Sequence, residues 1–113
     1  MSQYLILIYE EEAPYATASP DLMAEVMAEH DAFSAGVEKL GARIVGGEAL
    51  QPTALATSVR GGEVTDGPFV ETKEALGGYY VIDAPDRDTA LTVAKTVPAR
   101  FGGVEVRPVM TFD

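Results

Sequence analysis

The 113-residue chain has no cysteine and no tryptophan, a single histidine, and only 8 basic side chains against 18 acidic ones. Without cysteine there is no disulfide, no thiolate nucleophile and no thiolate metal ligand, which agrees with a reducing compartment. One histidine offers no ligand set for zinc, and the carboxylates do not follow calcium-loop spacing, so neither a metal nor a cofactor is expected. The formal charge of −10 repels phosphate backbones and anionic headgroups, and the Lys and Arg residues stand singly rather than in a patch. Direct nucleic-acid binding is therefore not expected. The apolar run Tyr4 to Tyr9 is too short for a bilayer span or a signal-peptide core, which predicts no membrane insertion and a cytoplasmic location. No Gly-x-Ser-x-Gly elbow, phosphate loop or dinucleotide fingerprint is present.

What is present is an ordinary globular composition, 47% hydrophobic and 23% charged, in a length that suits one domain over residues 1–113. Gln3 to Tyr9 is apolar at odd and even positions alike and predicts a central strand covered on both faces. Glu10 to Ala18 lacks periodicity and predicts a surface loop. Ser19-Pro20-Asp21 is a helix start, with a hydroxyl cap, a proline at the first helical position and an acid at the positive dipole end. The helix carries Leu22, Met23, Val26, Met27, His30, Phe33, Ser34, Val37 and Leu40 at steps of three and four, and Gly41 ends it. Ala42 to Glu48 and Thr53 to Arg60 predict strands, and Gly61-Gly62 supplies a hairpin turn that returns Glu63-Val64-Thr65. Tyr79 to Asp83 predicts another strand, Pro85-Asp86 opens a second helix closed by Pro98, and Val104 to Met110 predicts the last strand.

This order, a βαββαβ unit with an extra β-hairpin, predicts a ferredoxin-like α+β fold with an antiparallel sheet and both helices on one side. Two helices cover only one face of the sheet. A second copy of the chain is the simplest cover for the other, so a homodimer is expected.

The residues able to carry chemistry are few. His30 sits on the apolar stripe, where it serves either as a packing residue with one hydrogen bond or as a proton carrier. Glu105 and Arg107 share one strand face opposite Val104, Val106 and Pro108, and must pair with each other, with a partner chain or with a small anionic ligand. Glu48, at the end of its strand, poses the same choice. Tyr9, Tyr79 and Tyr80 are aromatic walls with polar tips, in the core or in a pocket. Asp66-Gly67-Pro68-Phe69 is a turn: the aspartate accepts from following amides, Pro68 extends Gly67, and Phe69 anchors the loop. Glu71 and Lys73, two apart, would share a side of an extended segment beside a pocket.

Asp66-Gly67-Pro68-Phe69, with Val70-Glu71-Thr72-Lys73-Glu74, Gly77-Gly78-Tyr79-Tyr80, Gly47 to Pro52 before it and Glu105 to Val109 after it, resembles the DGPF-motif branch of the YCII-related (YciI-like) family. The resemblance implies a dimeric α+β barrel with its interior between two sheets. It implies lyase-like acid/base chemistry by a histidine and aspartate dyad, in which His30, ahead of Gly41, matches the histidine. Asp66 stands as the candidate carboxylate although distant in sequence, and Asp31 is expected to point away from His30. Tyr9, Glu48, Glu71, Lys73, Glu105 and Arg107 are the candidate ligand-binding residues. The alternative that the resemblance carries is a non-catalytic ligand-sensing or regulatory module with a sigma factor as protein partner.

Overall fold

The structure is a computed structural model in which residues 1–112 are described. Its strands are β1 (Ser2–Glu11), β2 (Arg43–Ala49), β3 (Thr57–Arg60), β4 (Glu63–Asp66), β5 (Glu74–Ala84) and β6 (Gly102–Pro108). Its α-helices are α1 (Ala13–Ala16), α2 (Pro20–Gly36) and α3 (Arg87–Ala94). Four strands form one sheet in the order β2-β5-β1-β6, every neighbour antiparallel. With α2 linking β1 to β2 and α3 linking β5 to β6, this is the ferredoxin-like arrangement. The strands β3 and β4 form a separate two-stranded ribbon.

β1 is central because its branched and aromatic residues fill both faces of a strand paired on both edges. Tyr4, Ile6 and Ile8 are buried beneath the helices, while Leu5, Leu7 and Tyr9 are half-buried on the opposite face. Phe33 and Val37 from the α2 segment and Ala90, Val93 and Ala94 from α3 close over Ile6, Ile82 and Ala84. Burial of the larger of these side chains contributes about 1.5–3 kcal/mol each, which makes this one-sided core the main source of stability.

Helix starts follow the expected chemistry. The Ser19 hydroxyl accepts from Leu22 N at 3.1 Å with Pro20 beside it, and Asp86 caps α3 by accepting from Thr89 N at 2.8 Å. That bond to the Thr89 amide holds the Asp86 carboxyl below its ordinary value.

Boundaries differ from the sequence reading in several places: β5 begins at Glu74 rather than Tyr79, α3 ends at Ala94, short of Pro98, and β6 spans Gly102–Pro108 rather than Val104 to Met110. Glu10 to Ala18 is not a plain loop: β1 continues to Glu11, and α1 follows, pinned where Tyr15 donates to Glu10 at 2.8 Å and packs edge-on against Phe101 at 5.2 Å. Thr53–Leu55 is a 3-10 turn rather than the start of a strand, because Glu12 accepts from the Thr53 backbone at 2.8 Å and from its hydroxyl. The α2 helix closes at Gly36, and a 3-10 turn over Glu38–Leu40 completes the run before Gly41 at φ 90°. The buried stripe of this helical segment is also narrower than expected. Val26, Phe33 and Val37 are buried, whereas Met23 and Met27 stay 42% and 59% exposed on its flank. No helix among the described residues is long and apolar enough to cross a membrane.

Candidate functional site

The exposed flank of α2 faces the strand pair β2–β5, and between them lies a cavity of about 350 Å³. Met27, His30, Asp31 and Ser34 supply its helix wall, and Glu48, Tyr79 and Tyr80 stand on its sheet wall. Consecutive tyrosines on a strand point to opposite faces, so Tyr80 turns toward the helices and Tyr79 toward the open face. Tyr80 approaches α2 closely enough for its hydroxyl to lie 2.8 Å from His30 Nδ1, and its ring packs against Phe33 at 4.9 Å. Burial pushes the Tyr80 phenol above its ordinary value; the Ser34 hydroxyl opposes this by hydrogen bonding and the Asp31 charge adds to it.

Glycines shape the sheet wall. A β-carbon on Gly47 would lie 2.8 Å from the Tyr79 carbonyl oxygen and 3.0 Å from the Tyr80 ring, and one on Gly78 would lie 2.9 Å from the Glu48 carbonyl oxygen. Only glycine allows β2 and β5 to approach this closely where Tyr80 leaves the sheet.

The structure places His30 and Glu48 on the lining of one cavity, but Glu48, opposite Tyr79 in the ladder, turns its side chain to the open face. Asp31, expected to point away from His30, lines that cavity with it. Asp66 sits at the end of β4 in the ribbon and is not among the cavity's lining residues. Its neighbour Gly67, at φ 102°, donates to Ala56 O at 2.8 Å and accepts from the Ser58 hydroxyl at 2.7 Å, so this turn ties off the base of the ribbon. Phe69 lies under the Arg60 guanidinium, 4.1 Å from its ring centre.

The other candidates gather elsewhere. Tyr9, Lys73 and Glu105 line a shallow cavity of about 530 Å³, in which Lys73 Nζ is 3.0 Å from the Glu11 carboxylate. Arg107 pairs with Glu105 at 3.4 Å, with Leu5 and Leu7 opposite them in the ladder, which puts both charges on the open sheet face. Glu71 is exposed and lines none of these cavities. Tyr9 also lines a larger cavity, about 620 Å³, whose remaining walls include Leu50, Leu55, Phe69 and Leu76 and hold no charged residue.

The sequence does not single out Asp31, and it marks Tyr80 only as a core or pocket wall, without its contact to His30. Helix geometry turns Asp31 away from His30, but a cavity beside the helix, rather than beneath it, admits adjacent positions. The Tyr80 contact spans 50 residues and had only one local sign, a tyrosine pair in a strand, one of which must face the helices.

The sequence model of the YCII-related domain matches residues 2–113. An uncharacterized protein of Rhizobium meliloti (strain 1021) is 34% identical over 116 residues, covering 96% of this chain and 93% of the relative.

Proposed function

The chain belongs to the YCII-related domain family, and from that premise we propose that it is a small-molecule acid/base catalyst of the lyase or isomerase kind, working in the cytoplasm as a homodimer of the DGPF-motif branch. The observation that carries this reading is the 2.8 Å contact between His30 Nδ1 and the Tyr80 hydroxyl at the wall of a cavity. Tyr80 fixes the imidazole through one nitrogen and leaves Nε2 as the group that exchanges a proton with a ligand. With Nδ1 donating to the Tyr80 hydroxyl, Nε2 of the neutral ring is free to take a proton as the base, and the imidazolium that results, Nδ1 still donating to Tyr80, returns that proton from Nε2 as the acid. Tyr80 takes the orienting position expected of a dyad carboxylate, and Asp31 supplies the nearby negative charge.

Deuterium incorporation from D2O, followed by NMR over a panel of small carbonyl compounds with acidic C–H bonds, tests the reading. His30→Ala should lower exchange about 10²–10⁴-fold, the usual contribution of a positioned acid or base. Equal exchange by wild type and His30→Ala would remove it.

The open sheet face supports the dimer. Leu5, Leu7, Tyr79 and Val81 form a half-buried apolar strip flanked by Glu48, Glu105 and Arg107, a composition suited to a partner sheet. A regulatory reading, with a protein partner such as a sigma factor, draws on a different surface. Leu55, Val59, Val64, Phe69 and Val70 are each at least 57% exposed on the ribbon and its base. A pull-down from cells expressing the candidate sigma factor tests that reading, which fails if the factor is not retained.

A further inference from the structure

Two apolar features sit at opposite ends of the open sheet face. At the Tyr9 end is the cavity of about 620 Å³. Tyr9 and Leu76, opposite each other in the ladder, stand on its sheet side, and Leu50, Leu55 and Phe69 close it from the segments that follow β2 and β4. None of its lining residues is charged. At the Gln3 end, residues 109–112 leave β6. The Val109 amide donates to Gln3 O at 2.9 Å, one step beyond the Tyr4 and Pro108 pair, so Val109 follows Glu105 and Arg107 on the open face. Beyond it Met110 and Phe112 are 75% and 87% exposed.

These two features cannot satisfy each other within one copy. Gln3 and Tyr9 are six residues apart on β1, roughly 20 Å at about 3.3 Å per residue. Three residues carry Phe112 at most about 11 Å from Val109, and its exposure shows that it fills no cavity of its own chain. In character they are complementary: an uncharged cavity on one side, and an uncharged segment with an exposed aromatic ring and thioether on the other. Two chains that are each at −10 approach most easily where neither brings a charge. A two-fold axis lying across the strands, between two facing open sheets, runs the sheets antiparallel and lays the Gln3 end of one over the Tyr9 end of the other. Such an interface is isologous, so both contacts form at once. An axis along the strands would instead set cavity against cavity and leave Met110 and Phe112 in water.

We infer that in the dimer each copy seats Met110 and Phe112 in the apolar cavity beside Tyr9 of the other, so that neither cavity is complete within one chain. This rests on the reading of the protein as a homodimer, but not on any chemistry at His30.

The chain has no native cysteine, so an introduced pair reports the arrangement alone. Phe112→Cys is mixed in turn with Leu50→Cys, Leu55→Cys and Leu76→Cys, and with Lys95→Cys at the end of α3 on the helix side as a control. Each is a single substitution in the full chain, so any disulfide joins two copies, and it forms only where the Cα atoms come within about 7 Å. Peptide mapping after oxidation should find position 112 joined to at least one of 50, 55 and 76 in clear excess over 112 joined to itself or to 95. Phe112→Ala with Met110→Ala, both exposed in the single chain and therefore neutral for the circular dichroism of the fold, should raise the dimer dissociation constant in sedimentation by at least about 10-fold. A protein that sediments as a dimer but joins 112 to itself preferentially, or to no cavity position, overturns the exchange and keeps the dimer. An unchanged dissociation constant in the double variant overturns the exchange in the same way. A wild-type protein that stays monomeric at all concentrations removes the homodimer reading and the exchange with it.

Discussion

Val81 and Ile82 are neighbours on β5, yet they inhabit opposite sides of the sheet. Ile82 is fully buried beneath the helices, opposite Tyr4 and Ile44; Val81 is half-buried on the open face, opposite Leu5. One side of the sheet is completed by the chain's own helices and, among the described residues, has no buried charged residue. The other carries an apolar strip with Glu105 and Arg107 at its margin. The difference separates two demands on a single sheet: the closed side supplies the stability of the fold, and the open side leaves a half-buried apolar strip that the proposed dimer would cover. The His30 cavity lies where β2 and β5 meet the helix flank, fixed by the first side and bordering the second.

The largest effect expected is at the closed side. Ile82→Ala should lower unfolding stability by about 2–5 kcal/mol in urea denaturation, because it leaves a void that packed neighbours cannot fill. Next is Gly47→Ala, where the new methyl would meet the Tyr79 carbonyl oxygen; a cost of about 1–3 kcal/mol is expected, with perturbed His30 and Tyr80 signals in NMR. Val81→Ala should cost about 1 kcal/mol or less in dilute monomer. Val81→Asp should instead reduce the sedimenting mass toward the 12.0 kDa of one chain while the circular dichroism of the fold is kept. A concentration-independent monomer in wild type would break the comparison, since the open face would then be satisfied by water alone.

Alkaline pH gives a subtler difference. Burial first, then the hydrogen bond and charge of Glu10, raise the Tyr15 phenol well above its ordinary value, and burial raises Tyr80 as well. A group whose ionisation is harder in the folded state contributes stability that is whole below the unfolded value, about 10 for tyrosine, and is lost as pH rises through the folded one. The urea midpoint should therefore fall from pH 9 to pH 11, and Tyr15→Phe should flatten that fall. The smallest effect is expected for Arg107→Ala, which removes an exposed pair and should change stability by about 0–1 kcal/mol, less at high salt.

The elements of the closed side were legible in sequence because their signals are local. Ser19-Pro20-Asp21 ahead of an apolar stripe is a local helix start, and an unbroken run such as Tyr4 to Tyr9 belongs in the middle of a sheet. The ribbon's far strand and hairpin turn were legible for the same reason. Thr53 to Leu55 misled because its alternation suits a strand equally well, and the Glu12 carboxylate that decides the matter comes from 41 residues away. The site was legible only in part. His30 declared itself by being alone, but its alignment by Tyr80 and its sharing of a cavity with Asp31 depend on how α2 lies across β5, which no periodicity records.

The ribbon closes on itself at its base, where Ala56 and Gly67 meet backbone to backbone and Ser58 adds a second bond to Gly67, and it shares no ladder with the main sheet. Its tip at Gly61-Gly62 is therefore a place where foreign peptide could be grafted with its ends already held together. A barcode, an epitope or a second binding loop inserted there would be displayed at a distance from the four-stranded sheet and the His30 cavity, with which the ribbon shares no ladder.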